Sequence, residues 1–152
     1  MDQRKNIPPD DGLRSLIIKH LRVIDGEPPL WQPIETALTA SGVPDIYGCW
    51  RGRHVWVECK RTAGWAIDMN EFQVGWLVRL ARSGGRGFVA VRRRCAAGPR
   101  RLAADELWVV DNTSAPRLAA EGLRIVFPTL VTVSGPDAWD WDEFGRVLFG
   151  RG

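Results

Sequence analysis

The chain has 152 residues, 45% of them hydrophobic and 26% charged, which excludes global disorder and is enough for one substantial core without metal or disulfide staples. Its three cysteines, Cys49, Cys59 and Cys95, are odd in number and lack CxxC spacing, arguing against a disulfide framework or a zinc site and for a reducing, cytoplasmic setting. The N-terminus leads into prolines rather than an apolar signal core, no apolar run approaches the roughly 20 residues of a membrane span, and the net charge is +3.

The sequence predicts a flexible lead over residues 1–9. Asp10 or Asp11 then caps a helix whose apolar positions Leu13, Leu16, Ile17, Leu21 and Ile24 follow helical spacing, and Gly26-Glu-Pro-Pro29 stops it. Leu30–Glu35 reads as a first strand, 36–42 as a loop of small residues or an extension of a strand, and Ile46–Trp50 as a second strand. Arg51-Gly52-Arg53 makes a short hairpin turn into a third strand, His54–Lys60, rich in β-branched and aromatic residues. Asp68-Met-Asn-Glu71 matches a capping box for a helix running to about Ser83, with Phe72, Trp76, Leu77 and Leu80 as its buried stripe and Gly84-Gly85 at its end. Phe88–Arg92 is a fourth strand, and its return through a helix predicts a parallel neighbour. Glu106–Val110 and Arg124–Phe127 read as further strands, Arg117–Glu121 as a short helix, and Asp140–Phe149 as a C-terminal helix with Trp139 and Trp141 near its start. No repeat or linker divides residues 1–152, so one α/β domain is expected, with a core over 30–93 and an extension over 94–152.

The chemistry concentrates between Gly42 and Lys60. Residues two apart on a strand share a face, so Glu58 and Lys60 point together while Val57 and Cys59 face the other way. Antiparallel pairing of the second and third strands brings Asp45, at the start of one, beside Glu58–Lys60, at the end of the other. Two carboxylates next to an ammonium group can hold a divalent cation such as Mg²⁺ or Mn²⁺ and cut a phosphodiester. A hard cation would take Asp45, Glu58 and the Cys59 backbone carbonyl, not the Cys59 sulfur. Lys60 would orient water or offset phosphate charge. Asp and Glu-x-Lys on a strand are also common on ordinary exposed faces, and that reading stands beside the catalytic one.

The arginines point the same way. Arg79, Arg82, Arg86, Arg92, Arg93, Arg94, Arg100 and Arg101 fall in one stretch, which either docks a polyanion or is a solvated face. Thr39 and Ser41, just before Asp45, can hydrogen-bond a phosphate or simply form a turn. His20 and His54 are isolated and read as a helix-face and a strand-start residue. Trp56 shares the face of Glu58 and Lys60, where it can stack a splayed base; the rest of the eight tryptophans read as core or as a subunit interface, for which those of the C-terminal third are candidates.

Gly42-Val43-Pro44-Asp45 followed by Glu58-Cys59-Lys60 resembles the signature of the PD-(D/E)xK nuclease superfamily. A downstream helix carrying Gln73, then Gly84-Gly85 and a strand, is similar to the virus-type replication-repair nuclease (VRR-NUC) branch and the related Holliday-junction resolvases. The likeness covers roughly residues 30–93. It implies a restriction-endonuclease-like core (helix, three strands, helix, strand, with a mixed central sheet flanked by helices) and a metal-dependent endonuclease acting on branched DNA, working as a homodimer. Asp45, Glu58 and the Cys59 carbonyl would be metal ligands, Lys60 the catalytic lysine, and Gln73 the polar residue reaching the site from the helix. The sequence departs from the pattern in one place: Leu13–Ile24 contains no acid. Glu35 is the nearest substitute and Asp11 a poorer one, and for Glu35 a third-ligand role and a structural role both stay open. A nucleic-acid-binding module with decayed chemistry and a sequence-specific restriction-type enzyme are the alternative functions.

Overall fold

A computed structural model describes residues 10, 12–35 and 42–150. The lead over 1–9, Asp11 and the loop residues Thr39 and Ser41 lie outside the described residues. The architecture is α/β: a six-stranded mixed sheet, its strands side by side in sequence order, flanked by four helices, compatible with a restriction-endonuclease-like core. The elements run α1 (Leu13–His20), β1 (Leu30–Pro33), β2 (Ile46–Trp50), β3 (Arg53–Thr62), α2 (Glu71–Arg82), β4 (Gly87–Cys95), β5 (Ala104–Asp111), α3 (Ala115–Glu121), β6 (Leu130–Thr132) and α4 (Trp141–Phe149). Every neighbouring pair is antiparallel except β3 and β4, which run parallel. A parallel pair needs a crossover, and α2 supplies it. The β2–β3 connection is the two-residue turn Arg51-Gly52, both at positive φ (49° and 73°), whose twist suits a tight hairpin.

Alternation along the strands feeds two cores. On one face Ile46, Val55, Val57, Phe88, Ala90, Leu107 and Val109 meet Leu13 and Ile17 of α1 and Phe144, Leu148 and Phe149 of α4. On the other, Val89, Val91 and Val110 meet Leu77 of α2 and Leu118 of α3. Covered on both sides, the middle of β4 is a continuous apolar run from Phe88 to Val91. Full burial of each such side chain is worth about 1.5–3 kcal/mol, so three large residues suffice to pin the short α4.

Several elements differ from the sequence reading. Asp10 does cap α1, accepting from the amides of Gly12 (3.1 Å) and Arg14 (2.9 Å). That helix ends at His20, however, because Asp25-Gly26 form a turn at positive φ between bridged Ile24 and Glu27. The capping box of α2 begins two residues later than expected. Asn70 accepts from the Gln73 amide at 2.9 Å and Gln73 Oε1 accepts from the Asn70 amide at 3.1 Å, and this shift turns Phe72 outward to 57% exposure instead of into the stripe. Arg124–Phe127 is a turn, not a strand. Leu123 is tied to the Trp65 carbonyl, Val126 is buried against the helix side, and Pro128 has no amide to give, so pairing with β5 resumes only at Thr129 and continues into β6.

Residues 94–150 of the expected C-terminal extension contribute to the sheet and both cores, with β5 paired to β4 from Phe88↔Asp111 to Cys95↔Ala104. Two of the C-terminal tryptophans make contacts inside the chain. Trp139 is 4% exposed and donates to the Asp105 carbonyl, and Trp141 stacks on His20 at 4.2 Å. Among the described residues no helix is long and apolar enough to cross a membrane.

Candidate active site

The β2–β3 register opposes Ile46 and Val57, which sets Asp45 just off the end of β2 beside Glu58. There β3 has outrun its partner, and the amide of Cys59 finds no strand carbonyl. Asp45 Oδ2 accepts it at 2.7 Å. In a strand the N–H and C=O of one residue point to the same side, so the Cys59 carbonyl also faces Asp45. Gly42 makes this approach possible. At φ +89° it lies so close to α2 that a Cβ there would sit 2.2 Å from the Phe72 carbonyl oxygen. The Gly42–Asp45 segment is thereby seated on the first turn of α2, with Pro44 buried beneath it.

From that same turn Gln73 reaches into the site. Its Nε2 donates to Glu58 Oε1 at 3.1 Å, and its Oε1 accepts from Lys60 Nζ at 3.0 Å as well as from the Asn70 amide. One side chain therefore closes the helix cap and fixes both strand residues. Lys60 Nζ lies 3.6 Å from Glu58 Oε1. The expected quartet of Asp45, Glu58, Lys60 and Gln73 is brought together.

Its electrostatics are unbalanced. Glu58 is 2% exposed, and its Oε2 is buried with no hydrogen-bond donor. Burial first, then the charge of Asp45, pushes the Glu58 carboxyl up to about 8, with Lys60 pulling the other way. Burial also raises Asp45, against the lowering effect of the Cys59 amide. Two facing carboxylates that both resist ionisation share a proton near neutral pH, and a bound cation does the same service. The donor set is hard oxygen throughout, which suits Mg²⁺ or Mn²⁺. Among the described residues Asp45 and Glu58 are not joined in a cluster of three or more acids, histidines or cysteines, so the ion would rest on two carboxylates, the Cys59 carbonyl and water. Burial holds the Cys59 thiol protonated and out of the chemistry.

Glu35 does not join the site. The strand ladder ends where the Ile34 amide bonds the Asp45 carbonyl, and Glu35 turns outward, 77% exposed, to a contact 3.6 Å from Arg14. The acid overlooked by the sequence reading is Asp10, whose charge adds to the forces raising both Asp45 and Cys59. Its only sequence signal is a helix-capping position, which disguised it.

The arginines divide. Arg79 and Arg82 are exposed on α2. Arg92 is buried instead, in a two-pronged pair with Asp105 (2.9 and 2.7 Å), and Arg93 pairs with Glu106 at 2.7 Å while lying 3.9 Å over the Trp65 ring. Both are held against the sheet, because β5 brings acids against them that are remote in sequence. Arg94 is 60% exposed, and with Arg61, Thr62, Ala63 and Arg92 it lines a cavity of about 250 Å³ beyond the end of β3. His54 contacts the Tyr47 hydroxyl and His20 packs on Trp141, so neither reaches the acids. Trp56 packs edge-on against Trp76 of α2. In comparison with known proteins, the chain matches no protein-family model and no curated protein.

Proposed function

We propose that the protein is a Mg²⁺- or Mn²⁺-dependent endonuclease that hydrolyses phosphodiester bonds in DNA. One observation carries this reading: two carboxylates, half-buried Asp45 and buried Glu58, meet with no cationic or amide partner on Glu58 Oε2, beside a lysine held by Gln73. A purely structural pair would have its oxygens satisfied.

Asp45, Glu58 and the Cys59 carbonyl would hold the ion. When bound, it supplies charge neutralisation at the phosphoryl oxygens and a water of lowered pKa. Lys60 donates ammonium hydrogen bonds to a phosphate oxygen, offsetting its charge, or to the oxygen of the attacking water, orienting it. Gln73 is a positioning residue, fixing the Lys60 and Glu58 side chains through its two ends. Arg79, Arg82 and Arg94 offer guanidinium groups to the flanking backbone. A domain of this size without a groove-reading motif favours shape over sequence, so branched DNA is the proposed substrate, and paired cuts at a junction call for a two-fold dimer.

The test is cleavage with Mn²⁺ of four-way, flapped and linear DNA. Wild type cuts at least one branched substrate, whereas Lys60→Ala and Asp45→Asn lose roughly 10²–10³-fold of the rate while keeping the wild-type circular dichroism spectrum. Variants that cut as well as wild type would remove this mechanism.

A further inference from the structure

Tyr47, Trp56 and Trp76 belong to neither hydrophobic core, although all three are only half-buried and lie in contact. The rings of Trp56 and Trp76 meet edge-on at 5.0 Å, and those of Tyr47 and Trp56 lie 5.0 Å apart. Trp56 precedes Glu58 by two residues on the same face of β3, and Trp76 follows Gln73 by one turn of α2. The Trp56–Trp76 contact thus bridges strand and helix one step along from the Gln73 bridge to Glu58 and Lys60. Phe72, 57% exposed, extends the row on α2 one turn before Trp76, and exposed Arg79 follows one turn after it. Single exposed aromatics need no explanation, but three rings in contact, with Phe72 at helical spacing beside them and Glu58 and Lys60 one step along, form a candidate binding surface.

We infer that this row takes the unpaired bases of single-stranded DNA, with Arg79 on an adjoining phosphate. The inference rests on reading Asp45, Glu58 and Lys60 as the phosphodiester site, and it names the feature of the substrate that the enzyme selects: a strand with exposed base faces. A base inside a duplex has its faces stacked on its neighbours and shows only edges, so it has nothing to lay against these rings. A strand leaving a branch point does. The guanidinium on the same helix complements the phosphates such a strand carries, which an apolar protein partner would lack.

Binding measured in EDTA tests this without any cleavage. A 12-nucleotide single strand carrying 2-aminopurine is compared by anisotropy and by fluorescence with a blunt duplex containing the same base. The expected result is at least tenfold tighter binding of the single strand, with 2-aminopurine quenched only there. Phe72→Ala, at a mostly exposed position, weakens single-strand binding roughly 5- to 100-fold and leaves the duplex unchanged, while Phe72→Trp retains it. Equal affinity for strand and duplex, or unquenched 2-aminopurine with Phe72→Ala binding like wild type, overturns the inference. A protein that prefers single strands but cuts nothing with Mn²⁺ removes the nuclease reading alone; one that cuts without strand preference removes this inference alone.

Discussion

Two groups of charge are buried in the same sheet, one strand apart, and they are built on opposite principles. Where β4 meets β5, Arg92 and Arg93 each find a carboxylate at 2.7 Å, and each lies over an indole ring, Trp139 and Trp65. At the end of β3, Glu58 is more deeply buried than either arginine pair, yet its Oε2 has no partner and its charged neighbours include a second acid, Asp45, besides Lys60. The first group is closed and holds the sheet together. The second is open and carries a standing electrostatic cost that only a proton or a cation relieves. Burial alone therefore does not tell the two groups apart; satisfaction does.

Removing one side of the closed group has the largest expected effect on stability. Arg92→Ala leaves partly buried Asp105 with only the longer 3.9 Å contact to exposed Arg94, and urea denaturation should show a loss of about 3 kcal/mol. A loss below half of that would mean the pair is screened and the contrast overstated.

The open group should respond with the opposite sign. In the fold Glu58 keeps its proton up to about pH 8, against an ordinary value of 4.5. Between those values the folded protein holds a proton that the unfolded chain releases, so the metal-free protein loses stability as pH rises through this window. Glu58→Gln removes the Glu58 share of that dependence, leaving the smaller share from burial of Asp45, and gives the Asp45 carboxylate a donor. Thermal melts in EDTA at pH 8 should show the variant more stable by about 2 kcal/mol, with the difference shrinking toward pH 5. A variant less stable than wild type at pH 8 would contradict the open-site reading.

A smaller effect sharpens the comparison, because the open site depends on a close backbone contact. Gly42→Ala forces a Cβ into the first turn of α2 at a positive φ. A cost of about 1–2 kcal/mol is expected, together with a disproportionate loss of Mn²⁺-dependent cleavage as Gln73 is pushed away from Lys60. Stability falling with cleavage untouched would show that Gln73 positions nothing.

The pair Glu58 and Lys60, and their meeting with Asp45, were legible in the sequence because strand alternation and a two-residue hairpin depend on local geometry. The parallel β3–β4 pair followed from the helix between them. The α2 boundary was harder. Asp68-x-x-Glu71 and Asn70-x-x-Gln73 are both acceptable caps, and the second prevails because Gln73 gains Lys60 and Glu58 as partners only in the folded chain. Arg92 and Arg93 looked like surface charge for the same reason, since Asp105 and Glu106 meet them through a strand pairing that local sequence does not announce.

By itself, then, the sequence determined the periodic elements, the shared face of the acid and the lysine, and the absence of an acid within the first helix. The tertiary structure decided which charges are satisfied and which are not. It put Asp10 near the carboxylates, turned Glu35 away to Arg14, and left an aromatic row outside both cores. Periodicity is a property of neighbouring residues, whereas the cost of a buried charge depends on every group the fold brings within a few ångströms of it.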